Sequence, residues 1–124
     1  MNHVNKSGYT PLSSAAMGGH DKVCEVLLKA GAAVDHVDED RDTSLTRAAR
    51  EGHFKVCEVL LRAGAKVDHI SMNGDTPLFL AARKEKYKVC QLLITKYGAN
   101  CKHYSVMKYM NEMLKWAKPY CRVA

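Results

Sequence analysis

Cysteine and histidine recur in this 124-residue sequence at a spacing that could support nucleophilic chemistry. His20 precedes Cys24 by four residues, and His53 precedes Cys57 by four. Side chains four residues apart on a helix are neighbours, so each pair is a candidate cysteine–histidine dyad. Burial would raise the pKa of such a thiol and keep substrate away from it. We expect buried, unreactive thiols, and fast selective alkylation of either cysteine at neutral pH would contradict this.

Other catalytic or metal-binding patterns are weak. Cys101, His103 and Cys121 could supply three zinc ligands, but their spacing matches no common zinc framework and a fourth ligand is not evident. The carboxylates of the turn 39–42 are expected to be exposed, where general acid–base chemistry lacks a pocket. The glycines are separated along the chain and form no phosphate-binding loop. We therefore predict no enzyme activity, no metal and no cofactor.

The elements that position these residues are copies of one another. The string Gly52–Asp68 nearly repeats Gly19–Asp35, and Lys86–Lys102 is a third copy with one extra residue before its glycine. Cysteine occupies the same position in each copy, and packed helices lie about 8–10 Å apart, whereas a disulfide needs Cα atoms within about 7 Å. Reduced thiols agree with the cytoplasm, with the nucleus as the alternative.

Each copy predicts two short helices. A threonine recurs every 33 residues, at Thr10, Thr43 and Thr76, and proline follows the first and third, which is typical of a helix N-terminus. The second helix has valines and leucines at helical spacing, so we expect Val23 and Val26 to face the core like their counterparts in copy two. Helices this short need to stack on neighbours for stability.

The strings GYTPLSSAAMGGH, DTSLTRAAREGH and GDTPLFLAA resemble the turn and first helix of ankyrin repeats. The resemblance implies an all-α solenoid of stacked helix-turn-helix units joined by hairpin-like loops. It covers about residues 2–103 and implies one domain, 1–124. Its parts are repeats at about 5–37, 38–70 and 71–104, followed by a capping helix at about 105–118.

Several residues depart from the family pattern. The family's histidine after Thr-Pro-Leu is replaced by Ser13, Thr46 and Phe79. Arg41 stands where the other repeats have glycine, and a positive φ there would cost about 1 kcal/mol and could remodel the turn. Glu85 likewise replaces a helix-ending glycine.

The first residues, Met1–Val4, align with the hairpin that follows a repeat. We expect the chain to be a piece of a longer array, and we note self-association through an uncapped first repeat as an option. No apolar run is long enough to span a membrane.

Charge is distributed unevenly. Residues up to Ala82 hold nine Lys and Arg against eleven Asp and Glu, whereas those from Arg83 onward hold ten against two. Binding of nucleic acid or an anionic membrane surface through this basic third is the alternative function, which salt would weaken steeply. The aromatic residues there match no recognised nucleic-acid fold, so nucleic acid is the less favoured partner.

The family resemblance implies a non-catalytic adaptor, scaffold or inhibitor that binds a protein or peptide, with an acidic partner as one option. A targeting domain of a larger enzyme is a further alternative. In ankyrin proteins the concave face of hairpin tips and first helices binds the partner. Carried to this sequence, that face comprises Lys6, Tyr9, Met17, Glu39, Asp40, Asp42, Arg47, Arg50, Glu51, Met72, Asn73, Asp75, Leu80, Arg83 and Lys84.

Overall fold

A computed structural model describes residues 3–100 of the chain. Six α-helices and one π-helical segment follow one another in that range, with no strand among them. The predicted helix at 105–118 and the candidate zinc ligands lie outside the described residues. The elements are α1 (Pro11–Met17), α2 (Asp21–Lys29), α3 (Ser44–Glu51), α4 (Phe54–Arg62), α5 (Pro77–Arg83), α6 (Tyr87–Gln91) and the π segment (Leu92–Lys96).

The first helix of each repeat begins as the sequence predicts. Thr10, Thr43 and Thr76 are the N-cap residues, and each side chain accepts a hydrogen bond from the N–H three residues later. This bond satisfies one of the backbone donors that a helix start leaves free. The first helices pack in a row, α1 on α3 and α3 on α5, and they bury the leucines Leu12, Leu45 and Leu78.

The second helices pack against the first and against one another, but their apolar faces differ between repeats. Val56 and Val59 of α4 are 1% and 9% exposed. Val23 and Val26 of α2 are 50% and 66% exposed, so the prediction that they face the core is wrong. Among the described residues, α2 packs against the side of α4 that carries Val56 and Val59, whereas no element covers the corresponding side of α2.

Within residues 3–100, two non-glycine residues hold positive φ. Arg41 has φ 60°, close to the values of 81° at Gly8 and 79° at Gly74, so its turn keeps the shape of the other two. Glu85 has φ 59° in the position where Gly19 ends the corresponding segment of repeat one. The positive φ considered for Arg41 is therefore observed, whereas the predicted remodelling of its turn is not.

Glu85→Gly should raise the free energy of unfolding by about 0.5–1 kcal/mol, because glycine adopts positive φ without steric cost. Urea unfolding followed by circular dichroism would measure the gain. Lys84→Gly is the matched control: its φ of −90° suits any residue, so glycine there should destabilise the protein. A loss of stability in both variants would show that residue 85 is unstrained.

The extra residue of repeat three is absorbed by the π segment. In repeat two the Ala65 N–H donates to the Leu60 carbonyl five residues back, at 3.0 Å. In repeat three the Ala99 N–H donates to the Leu93 carbonyl six residues back, at 2.8 Å. A π turn holds one more residue than an α turn, so the same closing bond forms around a longer loop.

Deleting Lys96 should therefore be tolerated, with stability within about 1 kcal/mol of the original, because an ordinary α turn replaces the π turn. Deleting Arg62, the last residue of α4, should lower the free energy of unfolding by more than about 3 kcal/mol, because α4 contains no inserted residue and the deletion would disrupt its closing turn. Thermal unfolding of the two deletion variants would test this, and equal losses would contradict the assignment of the extra residue.

Candidate partner-binding surface

The hairpin tips are residues 5–9, 38–42 and 71–75. Each tip is closed by a polar side chain at its first position, which recurs every 33 residues. In repeat two, Asp38 Oδ1 accepts from the N–H groups of Asp40 and Asp42, at 2.9 and 3.1 Å. In repeat one, Asn5 Oδ1 closes its tip in the same way. Ser71 Oγ accepts a single bond of 3.3 Å in repeat three. Short polar side chains that bond to nearby N–H groups favour such turns.

Neighbouring tips are joined directly by backbone bonds. The Glu39 N–H donates to the Ser7 carbonyl at 3.4 Å, and the Met72 N–H donates to the Asp40 carbonyl at 3.1 Å. These bonds cross from one repeat to the next. The three tips therefore form one connected edge of the molecule.

Histidines tie the hairpins together at their base. His36 Nε2 lies 3.1 Å from the Gly8 carbonyl oxygen, and His69 Nε2 lies 2.8 Å from the Arg41 carbonyl oxygen. A ring N–H at Nε2 can donate each bond. His36 and His69, which are 33 residues apart, thus have the same structural role in successive hairpins.

Arg47 connects the second tip to helix α3. Its Nη2 atom lies 2.9, 3.1 and 3.2 Å from carboxylate oxygens of Asp38, Asp40 and Asp42. The guanidinium carbon lies 5.5 Å from the centre of the Tyr9 ring, in the range of a cation–π contact. The Arg47 side chain is only 12% exposed. Arg47 thus holds tip, helix and the preceding repeat together.

Asp42 is buried, and its expected place in an exposed turn is wrong. Its side chain is 4% exposed and its Oδ2 lies 3.2 Å from Nη2 of Arg50. Burial raises the pKa of the Asp42 carboxyl, while the charges of Arg47 and Arg50 act against that rise. Asp42 Oδ1 and Arg50 Nε are buried without a hydrogen-bond partner. The two arginines make burial of this carboxylate tolerable.

The three aspartates also resemble a cation site, because their carboxylate oxygens lie within 4.8 Å of one another. Arg47 already supplies a cation at hydrogen-bonding distance from all three. The cluster is therefore explained by an ion-pair network.

The structure separates the predicted binding residues into three groups. The exposed group, which we call the tip surface, contains Lys6, Glu39, Asp40, Glu51, Met72, Asn73, Arg83 and Lys84. The half-buried group contains Tyr9, Met17, Arg47, Arg50 and Asp75. Asp42 and Leu80 are buried.

Leu80 belongs to the binding face that the family resemblance implies, but its 1% exposure contradicts a place on an exposed surface. Arg47 occupies the same register in α3 and reaches the tip carboxylates. A leucine side chain cannot pair with carboxylates as Arg47 does, and its burial removes apolar surface from water, which stabilises the fold. Leu80 therefore contributes to stability and not to the tip surface.

Arg83 presents its charge to solvent. It shares the register of Arg50, which pairs with Asp42, but among the described residues no ion pair joins Arg83 to Asp75. The Arg83 guanidinium carbon instead lies 5.3 Å from the centre of the Phe79 ring. An exposed arginine supported by an aromatic ring is a suitable contact for a carboxylate.

Sequence reasoning missed two residues at the tips. Asp38 closes the second tip, and its register with Asn5 and Ser71 was a signal that could have found it. Ile70 is 60% exposed close in sequence to Met72, which is 61% exposed. Apolar residues recur in the register of Ile70, at Val4 and Val37. This recurrence was the signal that could have indicated an exposed apolar position.

The three described cysteines are buried and free, as predicted. Burial raises the pKa of the thiols of Cys57 and Cys90 to about 12. Burial, and secondarily the charge of Asp21, raises that of Cys24 to about 11. Thiols with such pKa values are almost fully protonated at neutral pH and are poor nucleophiles.

Comparison with known proteins agrees with this architecture. The family model of ankyrin repeats matches residues 1–71 and 32–105 in three copies. The chain belongs to the ankyrin-repeat family. No curated protein matches it. Within residues 3–100, no helix has the length and apolarity needed to cross a bilayer.

Proposed function

We propose that this chain is a non-catalytic adaptor, scaffold or inhibitor that binds a protein or peptide partner through the tip surface. Ankyrin repeats are generally protein–protein interaction modules. The observation that carries the proposal is the set of unlike, exposed side chains on a rigid edge. The tips are fixed by backbone bonds to one another and by the Arg47 ion pairs. A rigid edge loses little entropy on binding.

The third repeat supplies the strongest anchors. Met72 is 61% exposed, and Arg83 and Lys84 are exposed near the end of α5. Exposed apolar side chains and arginines are typical of the positions that dominate binding energy. The partner segment that fits here has an apolar side chain and one or two carboxylates.

The test compares partner capture by two triple variants. Met72→Ala, Arg83→Ala and Lys84→Ala together should reduce capture of a specific partner from lysate at least about tenfold. The control changes three side chains exposed on second helices: Lys22→Ala, Lys55→Ala and Lys88→Ala. Quantitative mass spectrometry would identify proteins lost only with the first variant. Equal recovery with both variants would refute the tip surface.

Salt distinguishes the alternative function. Arg83, Lys84, Lys86 and Lys88 are all exposed, so the described part of the basic third does present positive charge. Binding of nucleic acid or anionic lipid through these residues would fall steeply between about 50 and 200 mM salt. Capture that depends on Met72 and survives 200 mM salt supports a protein partner.

A further inference from the structure

Asn73 is followed by Gly74, and both residues belong to the exposed tip of repeat three. The chain has five asparagines, and the residues that follow the other four are His3, Lys6, Cys101 and Glu112. A side chain on the following residue hinders attack of that residue's backbone nitrogen on the asparagine amide, whereas glycine has no Cβ. Asn73 is therefore the asparagine at which this intramolecular reaction meets the least steric hindrance.

The surroundings of this pair leave room for the reaction. Asn73 is exposed, and within residues 3–100 its side chain makes no hydrogen bond. Gly74 has φ 79°, and apart from its chain neighbours no heavy atom lies within 4 Å of the position that a Cβ would occupy. Asn5 differs, because its Oδ1 accepts from the N–H groups of Ser7 and Tyr9 at 2.9 and 3.0 Å. The Asn73 amide is thus free to turn towards the backbone.

One hydrogen bond holds the attacking nitrogen in the folded tip. The Gly74 N–H donates to the Ser71 carbonyl at 2.9 Å, so the tip has to open before this nitrogen can attack. Ser71 Oγ closes the third tip with one bond of 3.3 Å, whereas Asn5 and Asp38 each accept two bonds in their tips. Loops held by fewer contacts open at a lower free energy. Gly74 therefore lies in the tip that opens most readily of the three.

We propose that Asn73 is a site of spontaneous deamidation. Hydroxide removes the proton of the Gly74 N–H, and the nitrogen then attacks Cγ of Asn73 and forms a C–N bond. The side-chain nitrogen takes a proton from water, which restores hydroxide, and leaves as ammonia. The product is a cyclic succinimide. Water opens the succinimide at either carbonyl, which yields aspartate or isoaspartate at position 73.

Both products change the tip surface. An aspartate adds a negative charge in the register of Asp40, which lies 3.1 Å from Nη2 of Arg47. Repeat three has Leu80 in the register of Arg47, so the new charge has no arginine at that register. Isoaspartate inserts a methylene group into the backbone before Gly74 and disturbs the closing bond of the tip. An effect on partner capture rests on the proposed function, whereas the deamidation itself requires no partner.

Incubation of the full chain at body temperature, followed by mass spectrometry of tryptic peptides, tests the proposal. Replacement of NH2 by OH should be at least about tenfold faster at Asn73 than at any other asparagine, which corresponds to about 1.4 kcal/mol in activation free energy. The rate should rise in proportion to hydroxide concentration. Isoaspartate should accompany aspartate, because both arise from the succinimide. An unchanged Asn73, or conversion without isoaspartate, overturns the proposal.

Two variants separate the chemical step from opening of the tip. Gly74→Ala places a Cβ beside the attacking nitrogen, and Arg41 shows that the equivalent position accepts a non-glycine residue, at φ 60°. This variant should deamidate at least about tenfold more slowly. Ser71→Asn introduces the residue that closes the first tip with two bonds, and it should slow deamidation about threefold.

An original rate in Gly74→Ala overturns the route through the succinimide, and an original rate in Ser71→Asn overturns the role of tip opening. Circular dichroism checks that both variants remain folded. Neither measurement uses a partner, so a failure of the tip surface in partner capture leaves the result at Asn73 unaffected.

Discussion

Arg47→Ala is expected to lower the free energy of unfolding by about 3–5 kcal/mol. The substitution removes the arginine that pairs with Asp38 and leaves Asp42 with Arg50 alone, and the side chains of these two aspartates are only 2% and 4% exposed. It also removes the contact with the Tyr9 ring. The cost arises mainly from uncompensated buried charge, which is larger than the net value of the intact ion pairs.

Urea unfolding of Arg47→Ala at neutral pH would measure the effect. Arg83→Ala is the matched control, because Arg83 also contacts an aromatic ring but is exposed. A surface substitution of this kind should change stability by no more than about 0.5 kcal/mol. If Arg47→Ala costs less than about 1 kcal/mol, the aspartates do not depend on this arginine as the geometry indicates.

The pH dependence of the same variant supplies an independent test. The folded-state pKa of Asp42 lies above its ordinary value of 3.8 because of burial. Ionisation of Asp42 therefore costs stability as pH rises through that folded-state pKa. Without Arg47 the pKa should rise further, since the charge of Arg47 lowers it. The stability deficit of Arg47→Ala should then become smaller as the pH is lowered from 7, because Asp42 of the variant binds a proton and loses its buried charge.

The contrast between Asp42 and Thr43 shows how far the sequence predicts this molecule. The N-cap role of Thr43 depends on residues three positions away and was predictable from the spacing of 33. The burial of Asp42 depends on two arginines in the following helix and on how the second tip folds against them. Local patterns fix helices and caps, whereas burial of a charged side chain depends on tertiary contacts.

The valines make the same point for the core. Val23 and Val56 occupy one register and have the same neighbours in sequence, yet one is 50% and the other 1% exposed. Periodicity identifies the apolar side of a helix but not whether another helix covers it. In an array each repeat contacts only its neighbours, so the end repeat exposes what the inner repeats bury.

Leu45→Ala is expected to lower the free energy of unfolding by about 3 kcal/mol. Leu45 is fully buried in α3, which packs against both α1 and α5. Truncation removes apolar contacts and leaves a cavity between two neighbouring repeats that cannot readily collapse. Leu12 occupies the same register in α1, which has α3 on one side only among the described residues. Leu12→Ala should cost less, because its surroundings can relax further.

Chemical unfolding of both leucine variants, with Ile70→Ala as a control, would measure this difference. Ile70 is 60% exposed, so its truncation should change stability by no more than about 0.5 kcal/mol. Leu45 and Leu12 have nearly identical exposure, at 0% and 1%, so burial alone predicts equal losses. A larger loss at Leu45 shows that stability depends on neighbours at both sides of a repeat. Equal losses would mean that repeat one is as firmly held as repeat two, and that contacts on one side of a repeat are enough to hold its leucine.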